Sequence, residues 1–212
     1  MRKNIKHILC VGDSITKGFP FSMEFSWPYI LGQNEGYKTI NLGEPGQGTK
    51  VILRRLKGLD FGALKFGVPR QEKEEKNACT ENIAIIMAGS NDFLFRLAEV
   101  PEALENILKM ANHCKDKGFR PILGIPTRCV PEVARCEFMP GLDYEGANEK
   151  LDVFGQKLRE MAGSEGFGLL DFQAMYRDVD EYVDGLHPTR NGYSILAERV
   201  LEVLENEERK LD

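Results

Sequence analysis

The sequence predicts an α/β protein, a three-layer α/β/α sandwich built on a five-stranded parallel sheet. Five short apolar runs, at 7–11, 37–42, 83–88, 120–125 and 168–172, each end at a turn signal. Unbroken runs such as IAIIMA suit strands covered on both faces. Helical periodicities lie between the runs, and strands alternating with helices imply parallel pairing through right-handed crossovers. Five strands in 212 residues fit a flavodoxin-like arrangement, in which ligands bind beyond the carboxyl ends of the strands.

The elements follow in order. HILCV leads into Gly12-Asp13-Ser14, and a weak helical pattern covers 27–33. YKTINL is followed by the loop GEPGQGTK and a second weak helix at 49–56. The third run ends in Gly89-Ser90-Asn91-Asp92. After Pro101, Leu104, Ile107, Leu108 and Ala111 recur at i, i+3, i+4 and i+7, and Gly118 ends the pattern. Ala147, Leu151, Phe154, Leu158 and Met161 repeat the signal, as do Tyr193, Leu196, Ala197, Val200, Leu201 and Leu204. Two segments read as insertions. Residues 57–81 contain EKEEK, a solvated loop or helix end. Residues 127–146 carry prolines, two cysteines and few periodic apolar positions, and they follow the fourth strand, so they can wall a site. One domain is expected over 1–212, with no internal repeat and no linker.

Composition narrows the function classes. Apolar content of 42% and charged content of 29% are ordinary for a globular protein. A net charge of −5 argues against nucleic acid or an anionic membrane as partner. No run approaches the roughly 20 apolar residues of a membrane span. The basic start MRKNIK precedes only ILCV, too short for a leader core. A cytoplasmic protein is expected, with a secreted mature form as the alternative. None of the five cysteines forms a CxxC pair, so no structural zinc site is expected. Cys129 and Cys136 could bridge in an oxidising compartment, but free thiols are the expectation.

Ser14, just past a buried strand, can be presented at the sheet edge, but a serine hydroxyl needs a base to become a nucleophile. On its own, GDS reads first as a strand-end turn in which Asp13 or Ser14 caps the next helix. Of three histidines, His7 opens the first strand at its far end, and His113 lies beside the apolar stripe of a helix. Only His187, in Asp184-Gly185-Leu186-His187-Pro188, sits on a loop that can reach the carboxyl edge. Asp184 can bond Nδ1–H of His187 while Nε2 faces a nucleophile. The side-chain amide of Asn91 can donate to an oxyanion or shape a turn.

The loop GEPGQGTK has the Gly43–Gly48 spacing of a phosphate-binding loop, but Thr49-Lys50 transposes the lysine and the hydroxyl. On a helix this moves each by about 100°. The loop does not match GxGxxG either, so no nucleotide is expected. Gly46, lacking a Cβ, can instead bring its N–H close to a ligand oxygen. With the Ser14 N–H and the Asn91 amide it would complete a three-donor oxyanion hole.

Together, GDS at 12–14, NLGEPGQGT at 41–49, GSND at 89–92 and DGLHP at 184–188 resemble, in this order, the sequence blocks of the SGNH/GDSL hydrolase family. The resemblance implies a flavodoxin-like sandwich that hydrolyses esters or thioesters with no metal and no cofactor. It implies Ser14 as nucleophile, His187 as base and Asp184 as its orienting acid. Gly46 and Asn91 would join Ser14 in the oxyanion hole, and Asp13 would support the nucleophile turn. The α/β-hydrolase fold is disfavoured, because its GxSxG elbow is absent and its serine follows several strands. The expected partner is a small ester or, as the rival, an O-acetylated carbohydrate. Phe19, Phe21, Trp27 and Phe93 could line its pocket or belong to the core. A non-catalytic flavodoxin-like binding module is the reading from another class.

Overall fold

The structure is a computed structural model that describes residues 5–66, 80–176 and 181–208. Its strands are β1 (Ile5–Gly12), β2 (Tyr37–Gly43), β3 (Thr80–Met87), β4 (Arg120–Ile125) and β5 (Gly168–Asp171). They form one parallel sheet in the order β2-β1-β3-β4-β5. The sheet is therefore the flavodoxin-like arrangement expected, with its switch point beside β1.

Strand alternation divides the core. Ile8 and Cys10 face one side of β1, Leu9 and Val11 the other. On the Leu9 side lie α3 (Thr49–Lys57), α5 (Val100–Asp116) and α7 (Tyr144–Glu165), which bury Ile52, Ile107, Phe154 and Leu158. On the Ile8 side, α2 (Trp27–Leu31) packs on α9 (Arg190–Glu208), burying Trp27, Leu196 and Val200. Central β1 and β3 are buried on both faces, whereas the edge strands β2 and β5 are half-exposed. Truncating a fully enclosed ring such as Phe154 to alanine would cost about 3–5 kcal/mol.

Four short helices follow strand ends or fill the supposed insertion: α1 (Ser14–Lys17), α4 (Ser90–Leu94), α6 (Pro131–Glu137) and α8 (Phe172–Met175). Phe172, expected to end the fifth strand, instead opens α8 as a core residue. Segment 127–146 is more ordered than its composition suggests. Tyr144, wholly buried, donates its hydroxyl to the carbonyls of Ala134 at 3.2 Å and Met139 at 2.7 Å, stapling α6 to α7. In the other insertion, EKEEK lies outside the described residues, while Phe61 and Phe66 pack on Phe119. Among the described residues no helix is long and apolar enough to cross a membrane.

Candidate active site

Register places the functional loops side by side. Gly12 pairs with Gly43 on one side and Met87 on the other, so the chains leaving β1, β2 and β3 emerge at one level of the sheet edge. Asp13 caps α1 by accepting the Ile15 N–H at 3.1 Å, and Ser14 is the first helical residue. Asp13 is thus the cap, and Ser14 stands at the carboxyl edge of the sheet.

The DGLHP loop arrives from the other end of the chain. A bridge between Tyr182 and Pro188, with Val183 N–H on the His187 carbonyl at 2.8 Å, closes it. Asp184 Oδ1 accepts the N–H groups of Leu186 at 3.0 Å and His187 at 2.8 Å. Its Oδ2 lies 2.7 Å from His187 Nδ1, and His187 Nε2 lies 2.9 Å from Ser14 Oγ. An ionised carboxylate only accepts, so the proton sits on Nδ1 and Nε2 is left to accept the Ser14 hydroxyl. Ser14, Asp184 and His187 are all buried. This arrangement can take a proton from the serine and hold the imidazolium that results.

Gly185 lies in the left-handed region, with φ of +80°. A Cβ there would meet Ala134 N at 2.6 Å and Val130 O at 2.8 Å. The approach is that close because the Val130 N–H donates to the Gly185 carbonyl at 2.7 Å. Segment 127–146 thereby docks directly onto the histidine loop.

Two carboxylates near His187 behave oppositely. Burial alone would raise the Asp184 pKa, but hydrogen bonds and charge from His187, with the two backbone N–H groups, outweigh it and hold the carboxyl below its usual range. Asp13 is dominated by burial, which pushes it up to about 6 despite the Ile15 N–H and the attraction of His187.

The glycine-rich loop is held by β3's exit. Asn91 Nδ2 donates to the Gln47 carbonyl at 3.1 Å. Next to it, Asp92 accepts the N–H and the hydroxyl of Thr49, each at 2.8 Å, and Asn106 Nδ2 donates to the same hydroxyl at 3.0 Å. Arg55 adds hydrogen bonds to Gln47 Oε1 and to the Leu42 carbonyl. Gly46 has φ of +72°, and a Cβ on it would meet nothing within 4 Å. Within the protein its glycine is required by backbone conformation rather than by crowding, which refines the expected reason of close approach. Sequence reasoning missed Asp92. Its signal is that α3 is preceded by Gly48, a cap with no side chain to satisfy the helix's first N–H groups.

A cavity opens beside Ser14, lined by Leu94, Thr127, Cys129, Ala147, Leu151 and Leu186 among others. Of segment 127–146, Thr127, Arg128 and Cys129 contribute to its wall. Burial pushes the Cys129 thiol up to about 11, and the thiol lies 3.2 Å from Asn148 Oδ1. It is protonated at neutral pH and lines the cavity as a small, unreactive group. Cys10, Cys114, Cys129 and Cys136 are free thiols, so Cys129 and Cys136 are not bridged. Cys79 lies outside the described residues. Among the described residues no group of three or more His, Cys, Asp or Glu is placed to hold a metal ion.

The aromatic candidates separate. Trp27 and Phe93 are core, and Phe21 packs against Phe25, Tyr193 and Arg190. Only Phe19 of the four reaches the site, its ring edge-on to His187 at 4.8 Å. Phe138, which the sequence did not single out, meets the same imidazole at 5.8 Å. His7 and His113 stay away from the site, stacked on Phe66 and edge-on to Phe61.

The chain is similar to known proteins in sequence and in fold. Residues 10–195 match the GDSL-like Lipase/Acylhydrolase family. The isoamyl acetate-hydrolyzing esterase of Saccharomyces cerevisiae is 30% identical, over 93% of this chain and 85% of the yeast protein. In fold, the chain is similar to a lipolytic protein of the G-D-S-L family from Veillonella parvula, with a TM-score of 0.72 at 19% identity, covering 93% and 97% of the two chains. It is also similar to the M. smegmatis aryl esterase, with a TM-score of 0.71 at 17% identity, covering 95% and 99%. A carbohydrate acetylesterase family member from Sinorhizobium meliloti gives 0.69 at 19%, covering 94% and 97%. The chain belongs to the GDSL-like lipase/acylhydrolase family and is a hydrolase of ester bonds.

Proposed function

We propose that the protein cleaves small carboxylic esters through an acyl-enzyme on Ser14. The observation that carries this reading is the unbroken chain Ser14–His187–Asp184, with its 2.9 Å and 2.7 Å links, at the mouth of the cavity. Ser14 Oγ attacks the ester carbonyl as its proton passes to His187 Nε2. The carbonyl oxygen becomes an oxyanion held by the Ser14 and Gly46 N–H groups and the Asn91 amide. Collapse breaks the bond to the alcohol oxygen, which takes the proton from Nε2. Water then attacks the acyl-enzyme, giving one proton to Nε2, and that proton returns to Ser14 Oγ as the acid leaves.

Asn91 has two amide protons. One is spent on the Gln47 carbonyl, and the other is free to serve the oxyanion. Asp13 supports the nucleophile turn through its cap on Ile15. The name of the yeast relative supports acetate esters as substrates. Labelling with a fluorophosphonate tests the reading: the probe should modify Ser14 in folded protein and block hydrolysis of p-nitrophenyl acetate. Hydrolysis that survives complete labelling, or labelling elsewhere, would sink it. If acetylated xylan fragments react faster than p-nitrophenyl acetate, the carbohydrate O-acetyl esterase reading takes its place.

A further inference from the structure

The two backbone donors of the proposed oxyanion site come from different segments. Ser14 N–H belongs to α1, and Gly46 N–H to the loop that leaves β2. Helix α1 is a single turn of four residues, too short to hold its own place. Asp13 caps its start, and the Ser14 carbonyl takes the N–H groups of Gly18 and Phe19, each at 3.0 Å. The Thr16 carbonyl, near the end of the turn, needs a donor from elsewhere.

Asn41 supplies it. From β2 this half-buried residue donates through Nδ2 to the Thr16 carbonyl at 2.8 Å, with the Lys17 carbonyl at 3.5 Å. The same nitrogen reaches Ser26 Oγ at 3.2 Å, and Ser26 gives its own proton to the Met23 carbonyl at 2.6 Å. Asn41 Oδ1 accepts the Gly43 N–H at 2.8 Å. Both ends of the amide are in use. Exchanging its nitrogen and oxygen would set two acceptors together at Thr16 and two donors together at Gly43.

The joint that Asn41 makes is tight. A Cβ on Gly43 would meet the backbone of Lys17 and Thr16, the Thr16 carbonyl carbon at 2.7 Å, so the β2 exit lies directly against α1. Glu44 adds its N–H to the Gly12 carbonyl at 3.2 Å and its carboxylate to Lys17 Nζ at 3.5 Å. Only Pro45 and Gly46 then stand before Gln47, whose carbonyl Asn91 holds. The Pro45 ring fixes one of the dihedrals in between. Gly46 is thus suspended between two anchorages, and Asn41 builds the one upstream.

We propose that Asn41 is a positioning residue for ester hydrolysis: it locks α1 to the β2 exit and so holds the Ser14 and Gly46 N–H groups on one oxyanion. The inference rests on Ser14 as nucleophile and on those two N–H groups as oxyanion donors. The hydrogen bonds of Asn41 run to the segments that carry the donors and not to the loop of Asp184 and His187. Its loss should therefore act on the oxyanion and spare the proton relay.

The test pairs steady-state kinetics with a tetrahedral mimic. Phenylboronic acid gains a bond from boron to Ser14 Oγ as the serine proton passes to His187 Nε2, and a boron-bound hydroxyl then takes the oxyanion's place. Asn41→Asp keeps the shape and the acceptor for Gly43 but sets an oxygen against the Thr16 carbonyl. Asn41→Ala, which serves if Asn41→Asp fails to fold, removes both bonds. Either should lower kcat for p-nitrophenyl acetate by about 10²-fold, the order that a displacement of about 1 Å costs, with KM little changed. Affinity for phenylboronic acid should fall in step with kcat/KM, and the pH midpoint of kcat/KM should stay at its wild-type value. Folded variants that keep wild-type kcat overturn the proposal. So do a loss of kcat with unchanged boronate affinity, a rise in KM alone, and a shifted pH midpoint. If wild type itself binds no phenylboronic acid and a fluorophosphonate leaves Ser14 unmodified, the underlying nucleophile assignment fails, and the proposal with it.

Discussion

Asp92 grips Thr49 across 43 residues of sequence, taking both its backbone N–H and its hydroxyl at 2.8 Å. The same β3 exit holds Gln47 through Asn91. Two consecutive side chains therefore fix the loop that carries Gly46. In the proposed mechanism, the oxyanion site would be preorganised by these side chains at the exit of β3.

Removing that grip should loosen the oxyanion site before it touches the proton relay. Asp92→Ala leaves the Thr49 N–H and hydroxyl without their acceptor, at about 1–3 kcal/mol for each buried group. Its kcat should fall with KM little changed, and Asp92→Asn should recover part of the loss. Asn91→Ala removes a donor as well as a strap, so its kcat should fall about 10²–10³-fold. Steady-state kinetics with melting curves separates the two effects.

Asp184→Asn should lower kcat by about 10⁴-fold with the fold retained, because the amide can no longer hold the Nδ1–H tautomer. The carboxyl pKa is depressed by its His187 and backbone partners. Its stabilisation is therefore present above the ordinary pKa of about 3.9 and lost as pH falls through the folded value. Acid unfolding of Asp184→Asn below pH ~4 should be less steep than that of wild type.

Asp13 titrates the other way. With a pKa pushed up to about 6 by burial, its contribution is fully present below the unfolded value and lost as pH rises through about 6. Asparagine can keep the cap on Ile15 without the buried charge. Asp13→Asn should therefore melt higher than wild type at pH 8, and the gain should shrink toward pH 4. A gain that grows on acidification would contradict the assignment.

Gly185→Ala should be among the most damaging single-methyl changes. It meets an unfavourable positive φ, worth about 1–2 kcal/mol, and its methyl would overlap the backbone of Val130 and Ala134. Melting temperature and kcat should fall together, since the same loop holds Asp184 and His187.

The sheet was legible because β1, β3 and β4 each carry a continuous apolar run, and the long helices because each has a clear stripe. The start of β3 was placed three residues late, since Thr80, Glu81 and Asn82 are polar and extend the strand only by pairing with β1. Helix α6 carries no apolar period. Ala134 is its only buried residue, and the helix is held by Tyr144 and by the Gly185 loop. Of the candidate site, Ser14, Asp184 and His187 could be singled out because each motif has local logic, and the fold brings them together. Phe138 and Asp92 were not singled out, since their partners lie far away in sequence; the one local cue to Asp92 is the side-chain-free cap at Gly48.

The most direct test of the central claim is the turnover of p-nitrophenyl acetate by Ser14→Ala, with its melting curve matched to wild type. The expected kcat is lower by about 10³–10⁶-fold. A folded Ser14→Ala protein that retains near wild-type turnover would contradict it.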